Sequence, residues 1–189
     1  MGPVGALALV GIFRSVTFVS FLNSVPLWLV EKGYAADSSM IAWTLFTYNA
    51  ASALGIVMGG WLEPRIGRWR IIIGSTLLAF PACFVFLFMP IGSVAYFVSI
   101  VIASILVNCC IASLVVSAQD LAPNAVGAAS GMLMGLTWGM AGIIYIGIGA
   151  LQENIGIQPS LYVAFSFLLL ASLLAFFIFK TRLERVRPI

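Results

Sequence analysis

The sequence predicts an all-α membrane protein with six transmembrane helices, on three observations. The first is composition. Of 189 residues, 62% are hydrophobic and 8% charged, and the mean hydropathy is +1.15. A soluble domain is about 45–50% apolar and about a quarter charged. Surface grows too fast relative to volume for a soluble fold to hide this much apolar area. The second is length. A span needs roughly 20 apolar residues to cross about 30 Å of hydrocarbon, and six spans with short connectors use nearly the whole chain. The third is punctuation, because the apolar runs are separated by connectors rich in Gly, Pro, Asn and Asp.

The spacing predicts a first helix over 3–30, closed by EKGYAADSS, and a second over 38–62, closed by EPRIGR. A third over 69–89 precedes PIGS, and a fourth over 93–118 precedes QDLAPN. A fifth over 124–151 leads into QENIGIQP, and a sixth over 161–179 leads into a basic tail, 180–189. Residues 1–189 then form a single bundle with no soluble domain. Helices satisfy their backbone hydrogen bonds within each segment, as lipid demands. A barrel would show alternating runs of about ten residues, and none occur. The start, MGPVGALALV, has no basic n-region, so no cleavable signal peptide is expected. Ala6 stands where a myristoylation motif needs Ser or Thr.

Basic residues set the expected orientation. Arg65, Arg68 and Arg70 follow the second helix, and Lys180, Arg182, Arg185 and Arg187 follow the sixth, whereas the opposite connectors hold only Lys32. The basic side is expected to be cytoplasmic, with both termini there.

Arg14 is the one charged residue deep in a span, about 15 Å along the first helix at 1.5 Å per residue. An arginine at that depth costs at least ~2.5 kcal/mol, so it normally faces a wet cavity or a partner. The bland alternative is a side chain that snorkels or pairs with a backbone carbonyl. Thr17, Phe21 and Ser24 share its broad face. Asn108 in the fourth helix lies at a similar depth, with Tyr48, Asn49 and Trp138 slightly beyond it. This is a candidate polar layer near the midplane, where transporters hold substrates. The local alternatives are an interhelical hydrogen bond for Asn108 and plain packing for Trp138. All six acids fall in connectors or tails, so the chain offers no buried carboxylate for proton relay. Cys83, Cys109 and Cys110 lie in apolar runs and read as small hydrophobes. No metal site, cofactor or nucleic-acid partner is expected. No nucleophile–base set or phosphate loop suggests an enzyme.

Two ladders of small residues stand out. The fifth helix carries Gly127, Gly131, Gly135 and Gly139, and the second carries Ala51, Gly55 and Gly59, all four residues apart. Each helical glycine costs ~1 kcal/mol of propensity relative to Ala. The ladders therefore point to close helix packing, either within this bundle or at a seam with another six-helix unit.

The stretch GGWLEPRIGRWR resembles the loop signature of the major facilitator superfamily, roughly G-x-L-x-D-R-x-G-R-[RK]. Gly60, Leu62, Arg65, Gly67 and Arg68 match it. Pro64 takes the place of the acid, with Glu63 one place early, and Trp69 takes the last basic place, with Arg70 after it. QDLAPNAVGAASGMLMGLTWGMAG is similar to fosmidomycin-resistance-type efflux proteins of the same superfamily. The resemblance covers the chain as a C-terminal half, a 3+3 inverted repeat lacking its N-terminal six helices. It implies that the first and fourth helices line the cavity. The second and fifth would meet the other half, and the third and sixth would face lipid. The expected function is secondary active transport of a small anionic or drug-like molecule by alternating access, as efflux, in a bacterial inner membrane. The expected partners are lipid, substrate and the missing half or a second copy. The alternatives are a membrane assembly or scaffold protein, or a stand-alone six-helix carrier acting as a homodimer.

Overall fold

The computed structural model describes residues 3–183, with side chains through Lys180. The side chain of Arg182, together with Arg185 and Arg187 of the predicted basic tail, lies outside the described residues. Among the described residues all regular structure is helical, and six spans are long and apolar enough to cross a bilayer: Val4–Glu31, Ser39–Ile66, Arg68–Phe88, Val94–Leu121, Pro123–Ile155 and Ile157–Lys180.

The helices are α1 (Pro3–Glu31), α2 (Ser39–Ile66), α3 (Arg68–Phe88), α4 (Val94–Cys109), α5 (Ile111–Leu121), α6 (Val126–Gly131), α7 (Thr137–Ile155) and α8 (Ile157–Leu183). Thus α4 and α5 make the fourth span, broken only at Cys110. The fifth span joins a short 3-10 turn, Pro123–Ala125, to α6, a π-helical turn over Met132–Leu136, and α7.

Several boundaries shift by up to four residues from the sequence expectation, the fifth span running to Ile155 rather than 151, and two of the shifts have a clear local cause. Helix α2 runs through Pro64 to Ile66, so EPRIGR is mostly helix and the connector narrows to Gly67 at φ 93°. Pro64 lies in the last turns, where the bond it forfeits is one to the carbonyl four residues back. Helix α8 starts at Ile157, with Pro159 in its first turn, where a missing N–H has no intrahelical partner in any case. Gly156, at φ 90°, makes that turn.

The principal neighbours are α2 with α4, α1 with α8, α3 with α4, α3 with α8, and α1 with α7. The core has two apolar clusters stacked along the helices. One holds Phe21, Trp28, Tyr48, Phe86, Tyr96 and Phe165. The other holds Leu7, Val10, Ile72, Leu114, Leu133 and Ala175. In α1 the clusters are separated by residues 11–17, and in the fourth span by Asn108 and Cys109. Arg14 and Asn108 occupy that gap.

The two small-residue ladders are used differently. A Cβ at Gly55 would come within 2.7 Å of the Ile105 carbonyl oxygen, and one at Gly59 would collide with the Cys109 carbonyl. Ala51, Gly55 and Gly59 are buried, so this ladder packs α2 onto α4 inside the bundle. The expectation that it forms part of an outer seam is corrected. Gly127, Gly131, Gly135 and Gly139 meet open space. The first span is the most covered, with 67% of its central residues buried, and the second and fifth are the least, at 33% and 22%. The outward side of α2 is bulky instead: Trp43, Phe46, Leu54, Val57 and Trp61 are exposed.

Candidate functional site

Arg14 projects from α1 into the gap between the clusters and is only 2% exposed. Its Nη1 donates to Asn108 Oδ1 at 3.0 Å, and its Nη2 donates to Ser15 Oγ at 3.2 Å. The guanidinium also lies 5.7 Å from the centre of the Phe18 ring. Asn108 is held in turn, because its Nδ2 donates to the Ser104 carbonyl at 2.8 Å. Ser104 Oγ donates to the Tyr48 carbonyl at 2.6 Å. One polar chain therefore runs from α1 through α4 to α2. Tyr48 is buried, and its ring stacks on Phe21 with centroids 3.7 Å apart.

The charge on Arg14 is met only by neutral groups. Among the described residues, the ion pairs join Arg68 to Glu63 and to Asp120, and no carboxylate pairs with Arg14. A hydrogen bond to a charged group contributes about 1.5–3 kcal/mol. Two of them offset much of the cost of burial, but they leave the net charge in place. The site is thus a fixed positive charge buried among neutral groups.

Arg14 opens onto a cavity of about 150 Å³, walled by Ser15 on α1, Ile111 and Leu114 on α5, and Leu133, Thr137 and Trp138 on the fifth span. Sites for drug-sized ligands are about 300–1,000 Å³, so this half-open cavity has room for only part of one. Trp138 is 44% exposed and meets Phe18 edge-on at 5.0 Å. It forms the rim.

The remaining predicted residues fall elsewhere. Thr17 is buried and donates to the Ala164 carbonyl at 3.2 Å, so it faces α8 rather than the cavity. Ser24 is tied to Tyr145 at 3.1 Å and accepts from Gln152 Nε2 at 2.6 Å, which fastens α1 to α7. Phe21 belongs to the apolar cluster. Asn49 is exposed and donates back to Leu45 of its own helix at 2.8 Å. These four do not join Arg14. Ser15, Phe18, Ser104 and Thr137 do join the constellation and were not foreseen. Position was the available signal: Ser15 and Phe18 follow Arg14 by one residue and one turn, and Ser104 precedes Asn108 by one turn.

At the basic end, Glu63 recovers the place of the displaced acid. Arg68 Nε donates to Glu63 Oε1 at 2.6 Å, and Arg68 Nη1 donates to Asp120 Oδ2 at 2.5 Å. Ser113 Oγ donates to Glu63 Oε2 at 2.9 Å. Glu63 closes α2 and Arg68 opens α3, so the tight turn at Gly67 brings the two together although Pro64 occupies the motif position. Arg65 stacks on Trp61 at 3.6 Å, and Arg70 donates to the Ile66 carbonyl at 3.5 Å. Gly60 and Leu62 lie beside this group, exposed and half-buried respectively.

No family model matches the chain. The uncharacterized MFS-type transporter YfnC of Bacillus subtilis (strain 168) is 35% identical over 133 residues, which is 70% of this chain and 32% of that protein. The fosmidomycin resistance protein of Escherichia coli (strain K12) is 26% identical over 175 residues, 92% of this chain and 42% of that protein. The chain thus spans less than half the length of either relative.

Proposed function

We propose that this chain, a relative of the major facilitator superfamily transporters, is the half of a secondary transporter that supplies the charged wall of a central substrate site. The observation that carries the reading is Arg14, a buried cation between the two apolar clusters, hydrogen-bonded only to neutral groups and open to a cavity. Such a group attracts an anionic part of a substrate. Asn108 and Ser15 orient the guanidinium, and Trp138 and Phe18 offer apolar contact to the substrate's body. Because the cavity holds only part of a drug-sized molecule, the remainder of the site would come from a complementary six-helix half. The open glycine line of the fifth span and the bulky face of α2 are the surfaces available to that half. The two halves would rock about the site, exposing it to each side in turn. Efflux is the proposed direction, in keeping with a relative named for fosmidomycin resistance. The basic turn around Gly67 would face the cytoplasm, and the Glu63–Arg68–Asp120 group would brace the inner end of the bundle.

The test is accumulation of labelled fosmidomycin, as a trial substrate, in cells lacking their own exporters and carrying the complete transporter. Lower accumulation is expected with the native chain. Arg14→Ala should remove the effect, because breaking a buried charge contact costs about 2–5 kcal/mol. If Arg14→Ala exported as the native chain does, the site assignment would fall.

A further inference from the structure

The fifth span carries two lines of residues that repeat every four positions. Ala129, Leu133, Thr137 and Ala141 are buried against the bundle, and Gly127, Gly131, Gly135 and Gly139 meet open space. A regular α-helix turns about 100° per residue, so each step of four drifts by about 40°. Three steps would carry either line about 120° round the helix, and neither could stay on one side. The π-turn over Met132–Leu136 takes up the drift, because its wider turn absorbs one extra residue.

The turn sits against α1 at the cavity. A Cβ at Gly11 would come within 2.7 Å of Thr137 Cγ2, so Thr137 seats directly on the bare backbone of α1. Thr137 Oγ1 donates to the Leu133 carbonyl at 2.5 Å and lies 3.3 Å from the Met134 carbonyl, and both of these carbonyls belong to the π-turn. One residue further on, Trp138 reaches Phe18 and the rim.

We propose that the π-turn is the pivot on which the fifth span bends, with the Thr137–Gly11 contact as its bearing, so that Trp138 swings away from Phe18 and back, uncovering and covering the Arg14 cavity. The proposal rests on the transport reading above. It adds to that reading a residue that gates access and a backbone device that moves it.

Deleting Met132, an exposed residue of the turn that lies outside the glycine line, tests it, since removing the extra residue converts the π-turn to continuous α-helix without rotating the flanking segments. In the complete transporter the deletion should leave membrane insertion and substrate binding in place and reduce export to background. Native export by the deletion variant would overturn the pivot, while loss of export on Arg14→Ala would leave the transport reading standing. If the deletion variant fails to insert, a second variant decides. Gly11→Ala, which sets a Cβ 2.7 Å from Thr137 Cγ2 and wedges the bearing, should reduce export severalfold while substrate binding is kept. Export at the native rate by Gly11→Ala would overturn the proposal.

Discussion

Neighbouring polar residues on α1 have unlike roles, because a shift of one or two positions changes which helix a side chain meets. Asn108→Leu removes an acceptor from a buried guanidinium and should cost about 1.5–3 kcal/mol, with a matching fall in thermal stability in detergent and a loss of substrate affinity. Thr17→Val removes a hydrogen bond to α8 that is worth about 0.6–2 kcal/mol. It should lower the unfolding temperature modestly and leave substrate affinity unchanged. A drop in affinity for Thr17→Val would mean that α1 rotates in the working cycle. The Arg14–Asn108 pair was legible in the sequence, since depth along a span follows from counting residues. The partners of Thr17, Ser24 and Asn49 were not. Hydropathy states how deep a residue lies but not which neighbour occupies each side of its helix.

At the level of elements, the six spans could be read from composition because lipid imposes a length and leaves few alternatives. The helical course through Pro64 and the π-turn could not, since neither changes the apolar pattern from which spans are read. The two small-residue ladders look alike in sequence and separate only when the helices are placed. Gly59→Val would drive a side chain into the Cys109 carbonyl and should destabilise the bundle by about 1–3 kcal/mol through overpacking. Gly131→Val adds its bulk to open space, so the unfolding temperature of the isolated bundle should change far less. Equal losses for the two would contradict the burial of the α2 ladder. Arg68 is about a third exposed, and an exposed ion pair contributes about 0.2–1 kcal/mol. Arg68→Ala should therefore leave the bundle folded, and an effect on export without an effect on melting would mark the Glu63–Arg68–Asp120 group as conformational rather than supportive.

The molecule as a whole is unevenly finished. Its sixth span packs between the first and the third, whereas the fifth keeps a glycine line open and α2 keeps Trp43, Phe46, Leu54 and Trp61 outward. Bulk on one helix and bare backbone on another are the two complements a second unit needs to pack closely. Gly131→Leu together with Gly135→Leu should prevent co-purification of this bundle with the proposed complementary half and leave the bundle itself monomeric and folded. Persistence of the complex would place the seam elsewhere.

Burying Arg14 without an acid also has an electrical consequence. A charge moved across the entire membrane potential exchanges about 2.3 kcal/mol per 100 mV, and a charge near the midplane feels part of that whenever its access switches sides. On the proposed transport cycle, this bundle would carry one positive charge within the field, unpaired by any carboxylate among the described residues, whenever the site is empty. With a singly charged anion bound, the pair is neutral. Membrane voltage would then bias the return of the empty carrier and leave the loaded step nearly indifferent.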